Sequence, residues 1–169
     1  IRDRIHVVVD GILVGRIGVS DPLRPSAAPA LALLNAEGIR TVVLTGDNAD
    51  SAGRATSDLH VDSVISDLLP SEKADHVAGL KDEGQVVAVV GDGINDAPAL
   101  ARADVGIAMA SGTDVAIESA DVTLLSGDLD GIVRALRMSR LAMRNIRQNL
   151  FFAFIYNGLG IPVAAGLLH

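Results

Sequence analysis

The chain has 169 residues, of which 49% are hydrophobic and only 2% aromatic, with no cysteine and a formal net charge of −7. The lack of cysteine excludes disulfides, zinc–thiolate sites and thiol redox chemistry. The four histidines are scattered and form no metal-binding pattern, and the acidic balance argues against a nucleic-acid partner. Because the chain starts at Ile1 and ends at His169 directly after an apolar run, we expect it to be a piece of a longer protein.

The first elements in chain order are two β-branched runs, residues 5–9 and 12–19. Asp10 and Gly11 lie between them, which is a typical signal of a two-residue hairpin turn. Asp21, followed by proline, is expected to end the second strand and to cap the turn after it, with a role as a hinge or loop contact as the functional alternative.

Helices and strands then alternate. The predicted helices cover about residues 26–37, 50–59, 71–83, 97–102 and 114–119, and the predicted strands cover residues 40–44, 63–65, 86–90, 105–109 and 122–125. Because the strands are short apolar runs without polar alternation, they predict an α/β domain over residues 1–128, with a parallel sheet covered by helices on both faces.

A basic helix is predicted over residues 129–149, with arginines three or four positions apart along one broad face. Residues 150–168 follow without a formal charge and are long enough to predict a transmembrane helix. The alternative is a buried core helix at the end of a soluble domain. If the segment crosses a membrane, the arginines place residues 1 to about 149 on the cytoplasmic side.

Two of the predicted strands end in a Gly-Asp turn, Thr45–Asp47 and Gly91–Asp96. The carboxyl ends of parallel strands open on one edge of the sheet, where ligands of α/β proteins bind. Thr45 offers a hydroxyl group there, and Gly46 allows close approach of the backbone to an anion. A common structural turn is the alternative for Thr45–Asp47.

The second turn contains Asp92, Asn95 and Asp96. Paired carboxylates beside a phosphate suit a hard cation such as Mg²⁺. Lys73 lies in the first turn of a predicted helix, where the helix dipole disfavours a cation by about 0.3–1 kcal/mol. An anionic ligand would offset that cost, whereas a solvated lysine is the alternative.

These residues resemble a known superfamily. Thr45–Asp47, Lys73 and Gly91–Pro98 are similar to the second, third and fourth motifs of the haloacid dehalogenase superfamily. With Asp21–Arg24 upstream and Asn149–Gly158 in the apolar segment, the chain resembles heavy-metal P-type ATPases, most closely the copper-transporting branch.

The resemblance implies a Rossmann-like, haloacid dehalogenase-type fold and a division of roles. Thr45, Gly46 and Asp47 would hold and orient a phosphoryl group, and Lys73 would neutralise it. Asn95 would contact the phosphoryl oxygens.

The resemblance also implies that Asp92 binds Mg²⁺ and that Asp96 supports the same site. Tyr156 and Asn157 would contribute to the path of the transported ion, which is Cu⁺ in the copper branch. The implied partners are ATP, which a domain outside this sequence would bind, membrane lipid and the remaining domains of the pump.

The sequence also departs from the family pattern. It contains neither the Asp-Lys-Thr-Gly-Thr motif that supplies the phosphorylated aspartate nor the Cys-Pro-Cys motif of the ion path. Because the phosphorylated aspartate and the family's nucleotide-binding domain are missing from this sequence, we expect this chain alone to be inactive. The resemblance also implies that the strand carrying the first motif would lie centrally in the sheet.

Three other functions stay open from the sequence. They are a soluble haloacid dehalogenase-type phosphatase, a P-type ATPase for zinc or cadmium, and a receiver-like binding module. The last needs an acidic pair after its first strand, where this chain has only Asp10 followed by glycine.

Overall fold

The computed structural model describes residues 3–19, 23–110, 112–125 and 128–166. The turn predicted at Asp21 lies outside the described residues. The chain forms two compact units, Ile1–Gly131 and Ile132–His169.

An antiparallel hairpin begins the first unit. Strands β1 (Asp3–Val9) and β2 (Ile12–Val19) pair with Val9 opposite Ile12. The turn residues Asp10 and Gly11 both have positive φ, 49° and 80°, as a two-residue type I′ turn requires. The predicted hairpin is confirmed. It argues against the receiver-like alternative, because that fold needs an acidic pair after its first strand, where this chain has the hairpin turn.

Helices and short strands alternate through the rest of the first unit, as predicted. The elements are α1 (Ala27–Ala36), β3 (Val42–Leu44), α2 (Ala49–Thr56), β4 (Ser63–Ile65), α3 (Pro70–Asp82), β5 (Ala88–Gly91), a 3₁₀ turn (Ile94–Asp96), α4 (Ala97–Arg102), β6 (Val105–Met109), α5 (Asp114–Glu118) and β7 (Val122–Leu124).

The strands after the hairpin form two parallel sheets. In the first, β3 pairs with β4. In the second, β6 lies between β5 and β7. The predicted parallel pairing is confirmed. The strands form two separate sheets, because β3 and β5 share no pairing in the described part of the chain. No strand in the described ranges pairs with both of these sheets.

Helix α4 packs closely on the second sheet. Leu100 of α4 is 1% exposed, Ala108 of β6 is fully buried and Val77 of α3 is 1% exposed. A Cβ atom at Gly106 would lie 2.8 Å from the carbonyl oxygen of Leu100, so this helix-to-strand distance requires glycine. The core therefore fixes α4 directly beneath the loop that joins β5 to it.

A single long helix, α6 (Asp130–Ala164), follows the last strand. In the part of the chain that the structure describes, no helix has the length and apolarity needed to cross a membrane. The transmembrane helix predicted over residues 150–168 is therefore not supported. The apolar part of α6 runs from Leu150 to Ala164, which is about 22 Å at 1.5 Å per residue and shorter than a hydrocarbon core of about 30 Å.

The carboxylate of Asp104 connects three elements at the end of the second sheet opposite the candidate site. It accepts a hydrogen bond of 2.8 Å from the Val87 N–H and forms an ion pair of 3.1 Å with Lys81. The Val87 hydrogen bond, followed by the Lys81 contact, lowers the pKa of Asp104 below its ordinary value of 3.8. The folded state is therefore stabilised by the ionised carboxylate.

We predict that Asp104→Asn lowers the thermal midpoint at neutral pH. A depressed pKa in the folded state gives stability that is present above the unfolded value and is lost as the pH falls through the folded value. The difference between parent and variant should therefore shrink as the pH falls below 3.8. Thermal unfolding between neutral and acidic pH measures it, with Asp82→Asn on the exposed surface of α3 as the control. A difference that does not change with pH would contradict the assignment.

Candidate phosphoryl and magnesium site

The loop after β3 is held by its own side chains. The Thr45 hydroxyl donates to the Asp47 carboxylate at 3.0 Å and accepts from the Asp47 N–H at 3.1 Å. The Thr45 carbonyl accepts from the Leu68 N–H at 3.1 Å. A Cβ atom at Gly46 would lie 3.1 Å from the Leu68 carbonyl oxygen. The turn is thus tied to the loop after β4, which leads into α3.

Lys73 of α3 reaches the loop after β5. Its Nζ donates to Oδ1 of Asp96 at 2.8 Å, and the two side chains are only 16% and 23% exposed. The contact joins the element that follows β4 to the loop that follows β5. It therefore brings together the carboxyl ends of the two parallel sheets.

Gly91 is required for this position of Asp96. A Cβ atom at Gly91 would lie 2.6 Å from the Asp96 Cβ, a distance that real side chains do not reach. The 3₁₀ turn Ile94–Asp96 then leads directly into α4, and Asn95 is exposed on that turn. The glycine of the Gly91-Asp92 turn is thus required, because any side chain there would collide with Asp96.

Asp92 lies at the open side of the same loop. Its carboxylate is 60% exposed, and Nη2 of Arg24 lies 3.8 Å from its Oδ2. The Asp92 carbonyl accepts from the Thr113 N–H at 2.9 Å. A Cβ atom at Gly112 would lie 2.5 Å from the same carbonyl oxygen, so the loop after β6 supports the backbone of Asp92.

The carboxylates of Asp92 and Asp96 fit a magnesium ion in their chemistry. Within the described ranges, no three His, Asp or Glu side chains converge on one point. Mg²⁺ does not need such a cluster, since it keeps several waters and binds proteins through one or two carboxylates. Asp92 presents exposed oxygens, whereas Asp96 has one oxygen committed to Lys73.

The structure thus brings Lys73 and Asp96 together and places Asp92 in the same loop. It places Tyr156 and Asn157 in the other unit, on α6, where both side chains are exposed. Thr45–Asp47 lies at the carboxyl end of its strand, as predicted.

Arg24, Gly112 and Thr113 are contributions that the sequence did not predict. The loop of Gly112 and Thr113 carried a detectable signal, because a glycine and a hydroxyl residue follow strand β6 as they follow β3. The sequence carried no signal that Arg24 lies near Asp92, since only the tertiary fold brings the two residues together.

We predict a coupling energy of about 1.5–3 kcal/mol between Lys73 and Asp96, as for a well-formed hydrogen bond between charged groups. Urea unfolding of Lys73→Met, Asp96→Asn and the double variant at neutral pH gives this value. The matched control is the cycle of Arg24→Gln and Asp92→Asn, an exposed pair expected to give about 0.2–1 kcal/mol. Equal coupling in the two cycles would contradict a special role of the Lys73 contact.

Comparison with known sequence families agrees with this geometry. A family described as haloacid dehalogenase-like hydrolase matches residues 1–104, and a second family with the same description matches residues 78–136. The two matches together include every residue of the candidate phosphoryl and magnesium site.

Curated relatives are metal-transporting ATPases. The silver exporting P-type ATPase of Salmonella typhimurium is 57% identical over 98% of this chain, which corresponds to 20% of the relative. A probable copper-transporting ATPase of Synechococcus elongatus is 53% identical over 98% of this chain and 22% of the relative. The chain thus spans about a fifth of the length of these relatives.

Solved structures of this class share the fold. The crystal structure of a zinc-transporting PIB-type ATPase in its E2.Pi state is 40% identical, with a TM-score of 0.84 over 96% of this chain and 27% of that chain. The catalytic CPx-ATPase domain CopB-B is 35% identical, with a TM-score of 0.67 over 78% of this chain and 52% of that chain.

The resemblance to heavy-metal P-type ATPases that the sequence shows is confirmed by these relatives and structures. The family match over residues 1–104 covers more than half of the chain. The chain therefore belongs to the haloacid dehalogenase-like hydrolase family.

Proposed function

We propose that this chain is part of an ATP-driven heavy-metal pump and contributes the magnesium- and phosphoryl-binding half of its aspartyl-phosphate site. The observation that carries the proposal is the Lys73–Asp96 contact. It joins the first turn of α3 to the loop after β5, at the edge of the sheets where α/β proteins bind ligands. The identity to silver- and copper-transporting ATPases over 98% of the chain supports it.

Each loop has a separate task in the proposed mechanism. Thr45 and Gly46 hold phosphoryl oxygens at the turn after β3, where the hydrogen bonds between Thr45 and Asp47 fix the loop. Lys73 neutralises phosphoryl charge, and its contact with Asp96 keeps the ammonium group in place before the ligand arrives. Positioning and charge neutralisation are the main contributions of a protein to phosphoryl transfer.

The loop after β5 supplies the metal-binding groups. Asp92 would bind Mg²⁺ directly, Asp96 would support that site, and Asn95 would contact the phosphoryl oxygens from the exposed 3₁₀ turn. The bound ion would offset charge on the transferring phosphoryl group. The attacking carboxylate comes from a part of the pump outside this sequence, since the Asp-Lys-Thr-Gly-Thr motif is not among the 169 residues.

We predict that Asp92→Ala in the whole pump lowers phosphoenzyme formation from ATP by about 100-fold or more, because a charge-stabilising group of the transition state is lost. Acid-quenched labelling with radioactive ATP at low Mg²⁺ concentration measures the phosphoenzyme. Asp82→Ala, which removes an exposed carboxylate from α3, should leave it unchanged. Normal phosphoenzyme in Asp92→Ala at low Mg²⁺ would remove Asp92 from the metal site.

We further propose that the apolar part of α6, together with the following residues to 168, lies in the membrane of the whole pump and that residues 1 to about 149 are cytoplasmic. The exposed side chains on this part of α6 are large and apolar, including Phe151, Phe154 and Leu159. An apolar helix surface of this kind requires a partner other than water.

Within that segment, Tyr156 and Asn157 are the proposed contribution to the ion path. Polar side chains in a membrane segment are costly unless they line an ion path or pair with another helix. We propose Cu⁺ as the transported ion, on the basis of the copper-transporting relative. Zn²⁺ is the competing ion, on the basis of the zinc-transporting structure at 40% identity.

In the whole pump, we predict that Tyr156→Ala and Asn157→Ala lose most of the copper-dependent ATP hydrolysis. Phosphorylation from inorganic phosphate should survive, since that step does not require the bound ion. Leu159→Ala, an exposed apolar position on the same helix, is the matched control. Unchanged copper activation in both variants would remove them from the ion path, and a parent pump activated by Zn²⁺ but not by Cu⁺ would overturn the copper assignment.

A further inference from the structure

Charge is strongly segregated along this chain. All 21 Asp and Glu residues lie at or before Asp130, whereas the remainder of the chain has five arginines and no acidic residue. The arginine side chains are all exposed on α6. They are Arg134, Arg137, Arg140, Arg144 and Arg147. A basic helix surface in an acidic protein is complementary to an anionic partner.

The arginines differ in their distance from the apolar part of α6, which begins at Leu150. At 1.5 Å per residue, Arg147 lies about 4.5 Å and Arg144 about 9 Å before Leu150 along the helix axis. Arg137 and Arg134 lie about 20 Å and 24 Å before it. We call Arg144 and Arg147 the near pair, and Arg134 and Arg137 the far pair. Both pairs have the same side chains and lie on the same helix.

Only the near pair matches the dimensions of a membrane surface. The headgroup layer of a bilayer is about 5–7 Å thick on each side of the hydrocarbon. Arginine extends a long flexible stem towards such a layer and binds phosphate oxygens through two parallel hydrogen bonds. The far pair lies beyond the screening length of about 8 Å at physiological salt.

We propose that Arg144 and Arg147 form a binding surface for the headgroup phosphates of anionic phospholipids in the cytoplasmic leaflet. The inference rests on the proposed function, because it requires the apolar part of α6 to lie in the membrane. It adds a lipid class and two residues to that function. The exposed aromatic side chains of Phe151 and Phe152 begin four positions after Arg147, so charge and apolar surface occur in the order in which a membrane presents them.

The test compares binding of the 169-residue chain to two kinds of vesicle, phosphatidylcholine alone and phosphatidylcholine mixed with phosphatidylserine. R144Q/R147Q should lose the preference for the anionic vesicle, by about fivefold for each arginine. R134Q/R137Q, which removes the same charge from the same helix, should change it by less than about twofold. R144K/R147K should keep most of the preference, and circular dichroism checks that each variant is folded.

Each outcome decides between distinct conclusions. Loss of the anionic preference in R144Q/R147Q alone supports the proposal. Equal loss of the anionic preference in both double variants, or loss in neither, overturns the lipid proposal. The placement of α6 in the membrane would still stand, because binding to the neutral vesicle reports the apolar part of α6 separately. Failure of the parent chain to bind either vesicle overturns both. Binding of a DNA or RNA oligonucleotide that R144Q/R147Q abolishes would assign the surface to nucleic acid and overturn the lipid proposal.

Discussion

The contact between Lys73 and Asp96 is the interaction on which the candidate site depends. Lys73 follows β4 of the first parallel sheet, and Asp96 follows β5 of the second. Strand pairing does not join β3 to β5 among the described residues. A partly buried charged group is costly to leave without its hydrogen-bond partner. The Lys73–Asp96 contact therefore fixes the start of α3 relative to the loop after β5. Strand pairing within a single sheet would otherwise have to align these segments.

Close backbone approach is the second constraint. Gly91 admits the Asp96 side chain, and Gly112 admits the carbonyl of Asp92. Beneath them, Gly106 lets α4 approach β6. A side chain at any of these positions would displace a carboxylate or the helix that follows it, so the glycines fix where the acidic groups of the site lie.

Local sequence patterns predicted the helices and strands of this fold, but they did not predict which parallel strands pair in the tertiary structure. The Asp10–Gly11 turn and the alternating helices and strands depend on neighbouring residues, and the structure has them where the sequence indicates. A parallel sheet was predicted because each strand reads as buried. The division of the strands into two sheets depends on tertiary pairing, which local patterns do not show. The cationic partner of Asp92 was not predictable for a similar reason, since Arg24 is 68 positions away in the sequence and only the fold brings it close.

Charge balance constrains the ligands of the candidate site. Asp47, Asp92 and Asp96 bring three carboxylates to loops that hold two cations, Lys73 and Arg24, in a chain whose formal net charge is −7. An incoming phosphoryl group would meet a locally negative site, and nearby like charges disfavour each other. A divalent cation at Asp92 reverses that local sign. The weak, exposed contact with Arg24 at 3.8 Å is easily displaced, whereas the Lys73 contact is shorter and more buried. In the proposed site, Asp92 would hold the divalent cation in place of its weak contact with Arg24, and Lys73 would keep its contact with Asp96, so that both cations could offset the charge of the phosphoryl group.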